Sequence, residues 1–377
     1  MPTDVLPGSR TTFDSSNGYL FTLEDSLDIL KDRGDHVSLI KRIGMGAPTK
    51  SYKKTWFERN RTLSVETVTM ADGVGTAITV LDTAAYKVGD ILACEAERMR
   101  VTARTSATVL AVTRSYQGTT GAAHSAKQLF NLGLSESDGA DAPEARSGVS
   151  SPVFNYVQWF SESAELTWQQ IAEAQAGGNA MTQDIADTTY VFWRRLFQAI
   201  LLGKRFEDVG GTKRQMGGLE QYIVSNPTSA GGAVTKALIN AELLQILESD
   251  QGGDSDGLVI LTSMYQAQKI DDLDSSLVRT SYKENTTGLP DIQTYSAGMG
   301  LPRIPIIADV AVPRDRIYFL NTNHMELNPE VNNGINGRAS LYDAKTPGKA
   351  HEKKVIRGGY TFTLHKEKTH SYLSNLT

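Results

Sequence analysis

Between Asp184 and Leu219 the chain reads DIADTTYVFWRRLFQAILLG, a long amphipathic helix, and then runs straight into the glycine-broken turn KRFEDVGGTKRQMGGL. Ile185, Phe192, Leu196 and Ile200 form one apolar stripe, and Tyr190, Trp193, Phe197 and Leu201 form an adjacent one, so more than a third of the circumference is sticky. Such a helix has to be packed along most of its length. Thr182 suits its N-cap, Asp184 and Asp187 suit the positive end of the dipole, and Gly203 with Lys204 and Arg205 suits the negative end. At 1.5 Å per residue the rod is roughly 30 Å long, the width of a small domain. It carries no catalytic side chain, and the rest of the fold is expected to hang on it as on a spine.

A chain of 377 residues exceeds what one hydrophobic core normally holds, so two or three packed units are expected. Apolar content of 40%, charged content of 21% and 33 glycines describe a soluble, loop-rich globular protein. The 38 basic and 43 acidic residues leave a mildly acidic balance, which argues against a nucleic-acid binder over the whole surface and leaves room for a local basic face. Cys94 is the only cysteine, so neither an intrachain disulfide nor a cysteine-based zinc site is expected, in keeping with a reducing cytoplasm. The opening MPTDVLPGSR lacks the basic-then-apolar run of a signal peptide, and no apolar stretch approaches the roughly 20 residues of a membrane span.

Leu23 to Arg33 reads as a short helix with Leu27 and Leu30 on one side, within an arm. From Lys41 to Arg61 seven basic residues face the single acid Glu58, and SYKKTWFERNRTLSVE alternates like a long strand or half of a projecting hairpin, with Tyr52, Trp56 and Phe57 as adhesive points. A solvated edge strand whose charges block aggregation is the other reading. Val65 to Leu134 breaks into short runs of period two, TAITVLD, YKVGDILACEAERMRVTA and ATVLAVTRSY, which suggest a small inserted barrel or sheet. The acidic SESDGADAPEARSGVSS follows, opposite in sign to the Lys41–Arg61 stretch. SPVFNYVQWFSESAELT returns to strand-like alternation. A second helix is expected over Ala233–Ser249, a buried strand at Leu258–Leu261, a helix in SMYQAQKIDDL, two strands around the proline turn of LPRIPIIADVAVPRDRIYFLN, and a closing strand pair in HEKKVIRGGYTFTLHKEKTHSYLSNL.

Most motifs associated with chemistry are incomplete in this chain. The turn Gly210–Gly218 has no Gly-Lys-Ser/Thr and follows a helix, where a phosphate loop follows a strand. Asp250, Asp254 and Asp256 miss the spacing of a calcium loop and read as turn formers. The six histidines, His36, His124, His324, His351, His365 and His370, never adopt a metal-ligand spacing, and no nucleophile–base constellation stands out. No catalytic residue, metal or cofactor is therefore assigned. Lys204-Arg205 and Lys213-Arg214 flank the turn and suit either contact with nucleic-acid phosphates or ordinary solvated ends of a helix.

The order of AILLGKR before RQMGGLEQYI, then DGLVILTSMYQAQKI, MGLPRIPIIADVAVPRDRIYFLN and RGGYTFTLHKEKTHSYL resembles the major capsid proteins of tailed bacteriophages, which share the Hong Kong 97-like shell fold. The β-rich insertion is similar to that of the phage SU-ten major capsid protein subgroup. The resemblance spans nearly the whole chain and lies in the order of weak motifs. It implies an α+β fold of the Hong Kong 97-like capsid protein class, with an N-terminal arm (1–40), an extended loop whose outgoing limb is 41–64, a small inserted β module (65–134) and a return limb (135–167). A peripheral domain with the spine helix (168–250), an axial domain (251–345) and closing strands of the peripheral domain (346–377) complete it.

The function that follows from the resemblance is an icosahedral shell of many self-assembled copies, as hexamers and pentamers, enclosing double-stranded phage DNA through non-specific contacts. It implies no enzyme activity and no membrane, assembly in the host cytoplasm and residence in the virion. Scaffolding, portal and decoration proteins are the implied partners; no fused scaffold is expected, and covalent cross-linking is not. Trp56, Phe57, Arg59 and Arg61 on the outgoing limb, with Trp159 and Phe160 on the return limb, are expected to contact neighbouring subunits, and Lys204, Arg205, Lys213 and Arg214 to face DNA. An encapsulin-type compartment shell is the alternative within the fold, and a ligand-binding enzyme the alternative outside it.

Overall fold

The computed structural model describes residues 36–58, 66–134, 151–172, 180–249, 256–273, 278–281, 292–298, 301–332, 335–344, 348 and 350–377. Its longest helix is the expected spine, Ala180–Leu202, of 23 residues. The helix begins earlier than the sequence suggested. Thr182 lies inside it and is not its cap, and the hydroxyls of Thr188 and Thr189 turn back to the carbonyls of Asp184 and Ile185, at 2.6 and 2.7 Å. The run TTYVFW is a poor helix former, so packing has to hold it. Phe192, Leu196, Phe197, Ile200 and Leu201 are fully buried. Each contributes about 2 kcal/mol over exposure. They share one core with Leu39, Ile40 and Ile43 of the short helix His36–Ile43, with Met216 and Leu219 after the turn, and with Tyr360, Phe362 and Leu364.

A seven-stranded mixed sheet forms the second layer, in the order Pro227–Ser229, Ser371–Ser374, Ile317–Asn321, Leu258–Thr262, Ile304–Ala308, Ile292–Tyr295 and Val278–Ser281. Leu258–Thr262 is buried at every position, which is why its sequence does not alternate. It runs parallel to Ile304–Ala308 and antiparallel to Ile317–Asn321. The helices Lys236–Leu247, capped by the Thr235 hydroxyl, and Met264–Leu273 pack on this sheet through Ile239, Leu243, Ile246 and Ile270.

The 14-residue strand His351–Leu364 organises a third sheet, pairing with Gln158–Thr167, Met325–Pro329 and Ser340–Asp343. The expected closing strand pair is corrected here. His351–Leu364 and Ser371–Ser374 lie in different sheets, because Lys366 takes a left-handed conformation (φ 52°) and the short turn Glu367–Thr369 redirects the chain.

Residues 66–134 fold as a six-stranded sheet, in the order Glu66–Met70, His124–Leu134, Asp90–Cys94, Glu97–Arg104, Val109–Thr113 and Ala77–Thr79. It has a core of its own, with Leu92, Cys94, Met99 and Leu110 fully buried. The Leu81 amide donates to the Glu66 carboxylate at 2.9 Å, which ties the first edge strand to the end of the last.

Candidate intersubunit surfaces

Lys53–Glu58 pairs antiparallel with Ser151–Tyr156, Lys53 opposite Tyr156 and Glu58 opposite Ser151. This two-stranded ribbon frames the six-stranded module in sequence, and its base is clamped to the body at several points. The Asn155 side chain, fully buried, donates to the carbonyls of Gly217 and Phe362 at 2.9 and 2.7 Å and accepts from the Gly217 amide at 2.8 Å. The Phe154 ring lies between two cations, with Lys53 Nζ 3.8 Å and the Arg205 guanidinium 3.9 Å from its centroid. Arg214 sits 4.1 Å over Tyr52, which stacks on Tyr156, and Arg214 also bonds Glu207 at 2.8 Å. That bond, with a second from Tyr156, holds the Glu207 carboxyl below its ordinary range.

Neighbouring strand residues face opposite ways, and this separates the expected contact residues. Trp56 faces its own body: it is 6% exposed and packs against the rings of Tyr222 and His365 at 5.8 and 6.0 Å. Phe57 points away and is 71% exposed. Arg59 and Arg61 lie outside the described residues.

Trp159 and Phe160, expected on the return limb, belong to the body sheet. Val157 makes the break, its amide donating to the Tyr52 carbonyl at 2.8 Å, after which Gln158–Thr167 leaves the ribbon for His351–Leu364. Phe160 is buried edge-on against Phe192 of the spine at 6.2 Å. Trp159 remains 38% exposed, lies on Gly359, where a Cβ would come within 2.7 Å of its ring, and donates from Nε1 to Glu330 at 2.9 Å. Beside them a polar cavity of about 340 Å³ opens between this strand and the spine helix, spanned by the Arg195–Glu162 ion pair.

The four basic residues flanking the turn divide in the same way. Arg205 and Arg214 are spent on Phe154, Tyr52 and Glu207, and Arg205 also donates to the Phe154 carbonyl at 2.7 Å. Lys204 and Lys213 are exposed. The turn itself is built by Asp208, whose carboxylate accepts the amides of Thr212 and Lys213 at 2.6 and 2.9 Å, leaving Val209 fully exposed at its tip. Sequence reasoning missed Asn155 and the Phe154 sandwich. The available signal was an amide at a core-facing position between two aromatic residues, framed by cations distant in sequence.

In the module, Glu97 is the polar hub. Arg114 binds both its oxygens at 2.6 Å, His124 Nε2 lies 3.0 Å away, and the amides of Ser115 and Ala122 donate to it at 3.3 and 3.1 Å. Among the described residues no group of three or more His, Cys, Asp or Glu side chains is placed to hold a metal, and no helix is long and apolar enough to cross a membrane.

Residues 11–377 match the family described as SU10 major capsid protein. No curated protein sequence matches the chain significantly. Among solved structures, the subunit of the cyanophage A-1(L) capsid is 12% identical with a TM-score of 0.55, covering 98% of this chain and all of that one. The capsid of the native GTA particle gives 10% identity and a TM-score of 0.54 over 98% of this chain and 100% of that one. Mycobacterium phage Bobi gives 7% and 0.53 over 98% and 99%. At these identities the likeness establishes the fold, which is of the Hong Kong 97-like type.

Proposed function

The chain belongs to the SU10 major capsid protein family, and on that premise we propose that its copies close into an icosahedral shell around double-stranded phage DNA, with the ribbon and its module reaching between copies. The family match over residues 11–377 carries this reading. The clamped ribbon base supports it, because a shell tile needs its reaching element held at a fixed angle to the body. We assign the strands Lys53–Glu58 and Ser151–Tyr156 to the limbs of the extended loop, the spine helix with the sheet built on His351–Leu364 to a peripheral domain, and the seven-stranded sheet with the helices Lys236–Leu247 and Met264–Leu273 to an axial domain.

Phe57 and Trp159 are the proposed contacts with neighbouring copies. Trp56 and Phe160 support them from inside the subunit. Lys204 and Lys213 are the proposed phosphate-facing cations, since their arginine neighbours are engaged within the chain. Scaffolding, portal and decoration proteins are proposed partners, assembly is assigned to the host cytoplasm, and the role is structural rather than catalytic. The family match favours a genome shell over a cargo compartment. Negative-stain microscopy and sedimentation of the expressed chain test this: closed shells, tubes or capsomer rings are expected, and a monomer that stays monomeric at high concentration with its scaffold supplied would overturn it.

A further inference from the structure

The outer face of the six-stranded module, opposite its core, is apolar along one strand and cationic along another. Met99 and Val101 point into the core, which leaves Arg98 and Arg100 on the other face, and Arg100 is exposed. Ala93, opposite Arg98, and Ile91, opposite Arg100, form the floor between the two rows. Phe130 pairs with Ala93 and is 45% exposed. Leu92 pairs with Asn131 and Ile91 with Gly133, so Leu132 is an extra residue in its strand, a bulge that leaves it 59% exposed beside Phe130. Such a face fits a segment in which carboxylates are set among small apolar residues.

The chain joins a segment of that kind directly to the module. Residues 135–150 read SESDGADAPEARSGVS, with Glu136, Asp138, Asp141 and Glu144 set among Ala140, Ala142, Pro143 and Ala145, and Arg146 as the one base. They follow Leu134, whose neighbour Gly133 faces Ile91, which in turn faces Arg100, so the cationic row lies two strand spacings, about 10 Å, from where they begin. They also have length to spare. Residues 59–65 and 135–150 both run from the ribbon, at the register partners Glu58 and Ser151, to the same end of the module, where Glu66–Met70 starts and its antiparallel neighbour His124–Leu134 finishes. The returning connection is more than twice as long as the outgoing one, and it is the acidic one, since 59–65 hold Arg59 and Arg61 and no carboxylate.

We propose that residues 135–146 dock on the outer face of their own module, carboxylates against Arg98 and Arg100 and the alanines and Pro143 over Phe130 and Leu132, which covers that face and takes up the spare length between module and ribbon. The docking lies within one chain and stands whether or not copies build a shell. The test is disulfide trapping in the full chain, with Ala142→Cys and Thr113→Cys, buried Cys94 left in place and copper phenanthroline as oxidant. Thr113 is exposed and pairs with Arg100, so it marks the outer face. The control joins Ala142→Cys to Val88→Cys, an exposed position next to Gly89, on which Leu134 packs, and so nearer the start of the segment. A segment with no docking site would reach Val88 at least as often as Thr113, whereas docking should close the Thr113 bond about tenfold faster. Arg100→Glu should lower that preference about fivefold, and adding Asp141→Arg should restore it. Singly substituted chains, mixed before oxidation, measure the bonds formed between copies. Equal rates at the two positions, a preference indifferent to Arg100→Glu, or bonds that form as readily in the mixture as within one chain would each overturn the proposal.

Discussion

The amide of Gly218 donates to the carbonyl of Gly203 at 2.8 Å, so the turn that leaves the spine helix closes back onto the helix end. Neither residue has room for a side chain. A Cβ on Gly218 would stand 2.6 Å from the Ile200 carbonyl oxygen, and one on Gly203 would collide with the Ala199 carbonyl. The requirement is one of space, so Gly203→Ala and Gly218→Ala should each cost about 2 kcal/mol or more. Gly232→Ala, at a position with nothing within 4 Å, should change stability by less than about 0.5 kcal/mol. Urea melts of the soluble chain followed by tryptophan fluorescence measure all three.

The split between Trp56 and Phe57 separates folding from assembly. Trp56→Ala empties a buried site against Tyr222 and should destabilise the subunit by about 3 kcal/mol. Phe57→Ala removes an exposed ring, and the subunit should melt unchanged while the yield of sedimenting particles falls severalfold. A Phe57→Ala chain that assembles to wild-type yield would remove this residue from the contact surface.

Local pattern made the spine helix, the fully buried strand Leu258–Thr262 and several of the module's strands legible, because each is written in a period or an unbroken apolar run of adjacent residues. Pairing was not legible in that way. SPVFNYVQWFSESAELT looks like one strand, yet its first half pairs with Lys53–Glu58 and its second with His351–Tyr360, a choice made by partners about 100 and 200 residues away. Trp56 and Trp159 illustrate the same limit: an aromatic residue in an alternating strand declares that it packs, while the partner strand and its glycines decide against what. Asn155 was silent for a related reason, since its value lies in Gly217 and Phe362, which the sequence does not place beside it.

Glu97 makes the module sensitive to strong acid. Burial by itself would raise its carboxyl, but the paired bonds from Arg114, with His124 and the amides of Ala122 and Ser115, outweigh it and hold the group at about 2 against an ordinary 4.5. A lowered folded value means stability that is complete above about pH 4.5 and is lost as pH falls toward 2, worth about 3 kcal/mol in all. Labelling of Cys94, buried in the module core, with a disulfide reagent active in acid reports module opening. Opening should rise steeply below pH 4.5 in the wild type. In Glu97→Gln it should be high already at neutral pH and nearly flat through that window.

His370 should make the body fail first. Its ring is fully buried, with Nδ1 accepting the Asn321 amide at 3.2 Å and Nε2 facing the His365 carbonyl at 3.3 Å, an arrangement that suits the neutral imidazole. Burial, the dominant cause, holds the group down to about 3 against an ordinary 6.5. The folded state therefore resists a proton that the unfolded chain accepts, so stability is complete above about pH 6.5 and erodes as pH falls below it, by about 2 kcal/mol at pH 5. Trp56, Trp159, Trp168 and Trp193 all lie outside residues 66–134, so tryptophan fluorescence follows the body while Cys94 follows the module. The urea midpoint read by fluorescence should decline from pH 6.5 to 5 while Cys94 stays protected, and His370→Asn should flatten that decline; equal slopes in the two chains would assign the acid sensitivity to other groups.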